Sequence, residues 1–208
     1  MKRHPSQTGF TLVEIAIVLV LVGLLLGAAL KGKELLFNSN VKATFNMSRE
    51  FTAAINGYRD RYQAIPGDDG SAAARFPMYA PAPVNGNGDG WINWQAFPCA
   101  ESTHGENCQV FLHLRAGGFV TGNGAETAKT PFGGQTAITA SGQLHPGTGR
   151  DPVLALQNSG VTHRAAQAID TLFDDGDPTR GTFRCRSLAV YNPSTPEAVV
   201  PDWCSIQM

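Results

Sequence analysis

Glu14 is the residue with the most unusual chemistry in this chain. Across residues 10–30 it is the only charged side chain in an otherwise apolar run. A helix over that run is roughly 32 Å long, enough to cross a bilayer core of similar thickness. A charged group at the centre of such a segment costs roughly 2.5–3.5 kcal/mol on insertion scales, and it usually has a partner. Glu14 sits near one end of the run. Before it come Lys2 and Arg3 in a polar leader, then Gly9 and Phe10. Position alone leaves two readings open: an interfacial acid tolerated by nearby water, or a functional acid with a positive partner.

A second set of chemistry-bearing residues is Asn85-Gly86-Asn87-Gly88-Asp89-Gly90-Trp91-Ile92-Asn93. It resembles a calcium loop of the EF-hand type. Asn85, Asn87 and Asp89 supply alternating side-chain oxygens, and Gly90 allows a sharp turn. Trp91 would offer its carbonyl, and Asn93 follows at the next ligand position. Alternating oxygens around a tight turn suit calcium, a hard ion that takes oxygen ligands. The pattern departs from the motif at its last position, which is Ala96 rather than a bidentate acid. Of the three alternating donors only Asp89 is charged; Asp68, Asp69 or Glu101 would have to complete the shell from elsewhere. The alternative is a Gly/Asn-rich turn with no ion.

Other motifs exclude more than they suggest. The histidines His104, His113, His145 and His163 show no ligand spacing, and no C-x-x-C pair is present, so a zinc site is not indicated. G-x-S-x-G is absent, and 147–150 is not a phosphate loop. We therefore expect no enzyme. Formal charge is −1; without a basic excess, nucleic acid is not favoured as a partner. The acids of Asp174-Asp175-Gly176-Asp177 oppose the dipole of a preceding helix. They read as a solvated turn or as a cation or partner contact.

These residues need elements to hold them. Lys2 and Arg3 precede the apolar run, which places the N-terminus in the cytoplasm and the rest of the chain beyond the membrane. The run lacks the small-residue cleavage site of a secretory signal, and Lys31-Gly32-Lys33-Glu34 follows it directly. Residues 31–63 continue the helix in amphipathic form. Phe37, Val41, Phe45, Phe51, Ile55, Tyr58 and Tyr62 make one apolar stripe. Gly23, Gly27 and Gly32 are its weak points, and Gly23 and Gly27 have the G-x-x-x-G spacing of close helix approach. Pro66-Gly67-Asp68-Asp69-Gly70 ends the helix. Beyond it we expect one domain, residues 64–208, loop-rich because Gly (23) and Pro (13) are abundant. It should hold a short helical turn at 71–76, a helix at 109–115, and a helix at 162–173 capped by Thr162. Short strands are expected at 135–139, 182–186 and 188–191. The fold class is α+β: a long N-terminal helix on a loop-rich domain with a small antiparallel sheet and a second short helix. The four cysteines lie outside the cytoplasm on this topology, where disulfides persist. They allow three connectivities; the short local loops favour Cys99–Cys108 and Cys185–Cys204.

Gly9-Phe10-Thr11-Leu12-Val13-Glu14 followed by the apolar run resembles the N-terminus of type IV prepilins and pseudopilins. The resemblance implies a pilin-like fold and a leader, residues 1–9, removed by a prepilin peptidase between Gly9 and Phe10. It implies N-methylation of the Phe10 amine, and pairing of Glu14 with the Phe10 amine of a neighbouring subunit. It implies a structural subunit of a type IV pilus or type II secretion pseudopilus. The partners would be other pilins or pseudopilins, the peptidase and an inner-membrane assembly platform. Residues 10–30 would form the membrane and filament-core helix. The Cys185–Cys204 pair is similar to the C-terminal disulfide loop of many pilins, whereas the helix-breaking proline many of them carry near Lys31 is missing here. Calcium-binding pseudopilins exist as a class. The competing reading is a membrane-anchored ligand-binding or sensory ectodomain that does not polymerise.

Overall fold

The computed structural model describes residues 10–95, 99, 105–122, 124, 126–144, 149–157, 160–186, 188–192, 194 and 203–208. Gly9 and the rest of the leader, Ala96, Glu101, His104, His145 and the 195–202 tail lie outside them. Contacts divide the chain into two compact units, one ending at Ser39 and one spanning Asn40–Met208. The first helix, α1, runs over Leu12–Tyr62.

In the first unit α1 is continuous through Gly23, Gly27 and Gly32. It is long and apolar enough to cross a membrane. Every side chain from 10 to 31 is exposed. Nothing lies within 4 Å of where a Cβ would sit on any of the three glycines. No contact among the described residues therefore requires them.

In the second unit α1 buries Val41, Thr44, Ser48, Phe51, Ala54, Ile55 and Tyr58. These positions recur at three- and four-residue steps, the spacing of one helix face. The observed stripe differs from the sequence reading: Phe45 and Tyr62 are half-buried, and Thr44 and Ser48 are buried. The two hydroxyls fit because each is satisfied on the helix itself, donating to Asn40 O (2.9 Å) and Phe45 O (2.8 Å). Phe45 stacks on Phe173 with ring centroids 3.8 Å apart, and Phe51 meets Phe111 edge-on at 5.5 Å.

Short helices follow: α2 (Ala72–Arg75), α3 (Glu106–Ala116), α4 (Ser141–Leu144) and α5 (His163–Phe173). The strands are β1 (Gln135–Ala140), β2 (Pro152–Gln157), β3 (Phe183–Cys185) and β4 (Cys204–Gln207), in the order β1-β2-β4-β3. All three pairings are antiparallel, so the α+β expectation holds. Thr162 caps α5, its hydroxyl accepting Ala165 N at 3.2 Å.

Three sequence expectations change. Helix α3 begins at Glu106, three residues before the apolar run that marked it. Residues 188–191 form no strand: Leu188 N returns to Cys185 O, and Val190 is exposed. Strands β2 and β4 were missed. Val153, Leu154, Ala155 and Leu156 are all buried, so β2 lacks the alternation that signals a strand. The disulfides are Cys99–Cys108 and Cys185–Cys204. The first ties the 99 segment to α3, and the second joins the opposed β3 and β4 residues.

Candidate functional site

In the first unit, the start of α1 shows how Glu14 is held. Thr11 precedes the first helical residue and Glu14 is the third. The Glu14 carboxylate accepts both the Thr11 N–H and the Thr11 hydroxyl at 2.8 Å, while the Thr11 hydroxyl accepts Glu14 N at 3.2 Å. This is a capping box, in which two otherwise unpaired N-terminal donors are satisfied reciprocally. The carboxylate of the single chain is thus hydrogen-bonded, although no cation neutralises it among the described residues. Phe10 lies beside it and is 85% exposed. The arrangement fixes an acid at the mouth of an apolar helix, next to the residue whose amine would be freed by a cut at 9/10.

The second unit gathers another group of acids. Asp68 and Asp69 follow the end of α1 and are almost fully buried, yet they face different partners. Asp69 takes the Tyr58 hydroxyl (2.7 Å), the Arg75 guanidinium (3.0 Å) and Ser71 N (2.8 Å). Burial pushes its pKa up, but these donors outweigh it and hold the carboxyl below its ordinary value. Burial also drives the Tyr58 phenol upward, with the Asp69 hydrogen bond adding to the effect. Asp69 is a structural clasp among α1, the turn and α2.

Asp68 points the other way. Its Oδ1 accepts Gly88 N (2.6 Å) and Asp89 N (3.2 Å), and its Oδ2 accepts Gly90 N (2.8 Å). Glu106, at the first turn of α3, accepts Asn87 N (3.1 Å), Asn93 N (2.8 Å) and Asn93 Nδ2 (2.8 Å). Asp89 accepts Trp91 N (2.8 Å), Asn87 Nδ2 (3.1 Å) and Asn93 Nδ2 (3.2 Å). One carboxylate oxygen from each of Asp68, Asp89 and Glu106 lies within 4.8 Å of the others. A carboxylate offers about four lone-pair directions, so each acid keeps capacity beyond these bonds. Burial raises the Asp68 pKa, with the Glu106 and Asp89 charges adding and the Gly90 and Gly88 N–H groups opposing. The Trp91 N–H lowers that of Asp89, and Arg150 contributes. Arg150 donates to the Asp89 carbonyl at 3.1 Å and lies over the Trp91 ring.

The five donors read from the loop are only partly brought together. Asp89 joins the acid cluster, whereas Asn93 meets it through its amide nitrogen rather than as an oxygen donor. Asn85 turns away and accepts Ala73 N at 2.8 Å. Asn87 Oδ1 accepts Asp89 N at 2.9 Å, closing a local turn. Trp91 packs against Gly142. Of the acids considered to complete the shell, Asp68 is in place and Asp69 is committed elsewhere. Glu106 was not read from the sequence; its signal was an acid just before a helical apolar run, a common first-turn position.

His113 braces this cluster. It is fully buried. Its Nδ1 accepts Gly67 N at 2.9 Å, which assigns the proton to Nε2, and Nε2 donates to Val84 O at 2.9 Å. One ring thus ties the 67–69 turn to the 84–90 loop. Burial lowers its pKa.

The acids in and after α5 also serve the fold. The fully buried Asp170 accepts Gly176 N (2.9 Å) and the Tyr191 hydroxyl (2.5 Å), and Asp174 accepts Phe183 N (2.7 Å). Burial raises the Asp170 pKa despite these bonds.

Compared with known proteins, residues 4–30 match the family described as the prokaryotic N-terminal methylation motif. No curated protein and no solved structure matches the chain. The matched segment contains Gly9, Phe10 and the capped Glu14, followed by the exposed apolar helix, and such a motif suggests a structural role. Over this N-terminal segment the chain is similar to type IV prepilins.

Proposed function

We propose that the chain is a structural subunit of a type IV pilus or a type II secretion pseudopilus. A prepilin peptidase cuts between Gly9 and Phe10, and the Phe10 amine is then methylated. The 10–30 helix holds the subunit in the inner membrane with its N-terminus cytoplasmic, and it later packs in the filament core. Residues 31–63 carry the 64–208 domain outward. The observation that supports this most is the apolar helix, exposed on all sides and capped by an acid beside Phe10. Such a surface needs lipid or other helices around it. Glu14 then pairs with the Phe10 amine of a neighbouring subunit, other pilins or pseudopilins and the assembly platform being the partners. Two measurements test the reading. The mature chain should begin at Phe10 by mass. Glu14→Ala should leave processing intact and abolish incorporation into sheared filaments; normal surface function without polymerisation would favour a membrane-anchored ligand-binding or sensory ectodomain.

A second proposal concerns the loop. Asp68, Asp89 and Glu106 hold a calcium ion. The donor set is all oxygen, as a hard cation requires, and three acids converge while no Lys or Arg side chain pairs with their carboxylates among the described residues. An ion there would offset their mutual repulsion. Thermal melts of the detergent-solubilised chain test this. Calcium should raise the midpoint over that in chelator, and an unchanged midpoint refutes it.

A further inference from the structure

Asn-Gly pairs occur at Asn56, Asn85, Asn87 and Asn123, the first three among the described residues. In such a pair the glycine nitrogen can attack the asparagine side-chain Cγ, because glycine has no Cβ to obstruct the approach. The N–Cγ bond forms and the Cγ–Nδ2 bond breaks. The glycine N–H proton passes to a solvent base, and the amide nitrogen leaves as ammonia after taking a proton from water. Water then opens the cyclic imide to aspartate or isoaspartate. No oxidant or reductant is involved.

We propose that the fold selects Asn87 as a site of spontaneous deamidation and shields the other two described pairs. Asn56 lies within α1, where the helical backbone commits the Gly57 nitrogen to the hydrogen-bond ladder. The Asn85 side chain accepts Ala73 N. Gly86 is packed so tightly that a Cβ would overlap the Asp68 backbone, leaving no room for the rotation that ring closure needs. Asn87, whose side chain is also held through Nδ2 on Asp89 Oδ2, differs in the space around its glycine. Asn87 and Gly88 are exposed. Gly88 has φ +76 and open space where a Cβ would lie. The Asn87 amide oxygen accepts Asp89 N at 2.9 Å, which polarises the carbon to be attacked. The Gly88 N–H donates to the Asp68 carboxylate at 2.6 Å, which increases electron density on the attacking nitrogen. Either product places a new carboxylate among Asp68, Asp89 and Glu106, and isoaspartate also lengthens the loop backbone by one carbon.

Peptide mapping of the full chain in detergent, aged at mildly alkaline pH with chelator present, tests this independently of any cation. Asn87 should convert severalfold faster than Asn85 while the protein is folded. In urea the two pairs should convert at similar rates, since their local sequences are alike. Asn85 converting as fast as Asn87 in the folded chain would overturn the proposal. So would a preference for Asn87 that persists unchanged in urea.

Discussion

Replacing His113 by Phe isolates the brace between the two halves of the acid cluster. The ring is fully buried on α3. It faces Tyr58 of α1, with ring centroids 6.3 Å apart, while the Asp69 and Arg75 charges act on it in opposite directions. Phe keeps most of the volume but removes the acceptor for Gly67 N and the donor for Val84 O. Gly67 is buried, and an unsatisfied buried donor costs about 1–3 kcal/mol. Val84 is half-buried, so water can replace its lost donor at smaller cost. At about 2–4 °C per kcal/mol for a chain of this size, the melting midpoint should fall by about 2–12 °C at neutral pH. The pH dependence carries the sharper test. Burial lowers the folded pKa of His113, so the unfolded chain takes up this proton first as pH falls. Stability should therefore decline once pH drops below about 6.5, the ordinary histidine value, and keep declining until the folded group also titrates. His113→Phe should lose this part of the slope while keeping the steeper loss at lower pH that the carboxylates cause. Asp69 contributes there: its lowered pKa gives stability present above the ordinary carboxylate range and lost as pH falls through its folded value. The assay is urea unfolding of the detergent-solubilised chain across that range, wild type against variant. Parallel pH profiles through the histidine range would refute the argument.

Two further outcomes follow from the same geometry. Gly86→Ala should destabilise the second unit severely, because the added methyl would overlap the Asp68 backbone and neither segment can shift without breaking the Asp68 cradle; a melting point equal to wild type contradicts this. Replacing both Cys185 and Cys204 by Ser should cost about 3 kcal/mol by the loop-entropy argument, and it should increase hydrogen exchange in β3 and β4 before it does so in β1.

Some of this protein could be read from its residues alone, and the reason is locality. The helix over Leu12–Tyr62, its apolar first half, the turn at 66–70 and α5 with its Thr162 cap are all set by interactions within a few residues. Periodicity, capping chemistry and turn composition encode those directly. The capping box at Thr11 and Glu14 was equally legible, since T-x-x-E before an apolar run announces it. Strands β2 and β4 were harder, because a short strand buried on both faces shows no alternation and exists only through its partners.

What tertiary structure alone decided is which acids meet. Asp68 and Asp69 are neighbours in sequence with identical side chains. One cradles the 88–90 backbone and the other clasps Tyr58 and Arg75, because adjacent residues in a tight turn project to different sides. Glu106 reaches Asp68 and Asp89 only because His113, two turns along the same helix, anchors α3 to both the 67–69 turn and the 84–90 loop. Sequence spacing ranked Asn85 with Asp89 as equal donors, and the fold separated them. A motif at the start of a helix is complete in itself, whereas a cluster built from a turn, a loop and a helix N-terminus exists only once long-range packing has paid its loop-closure entropy.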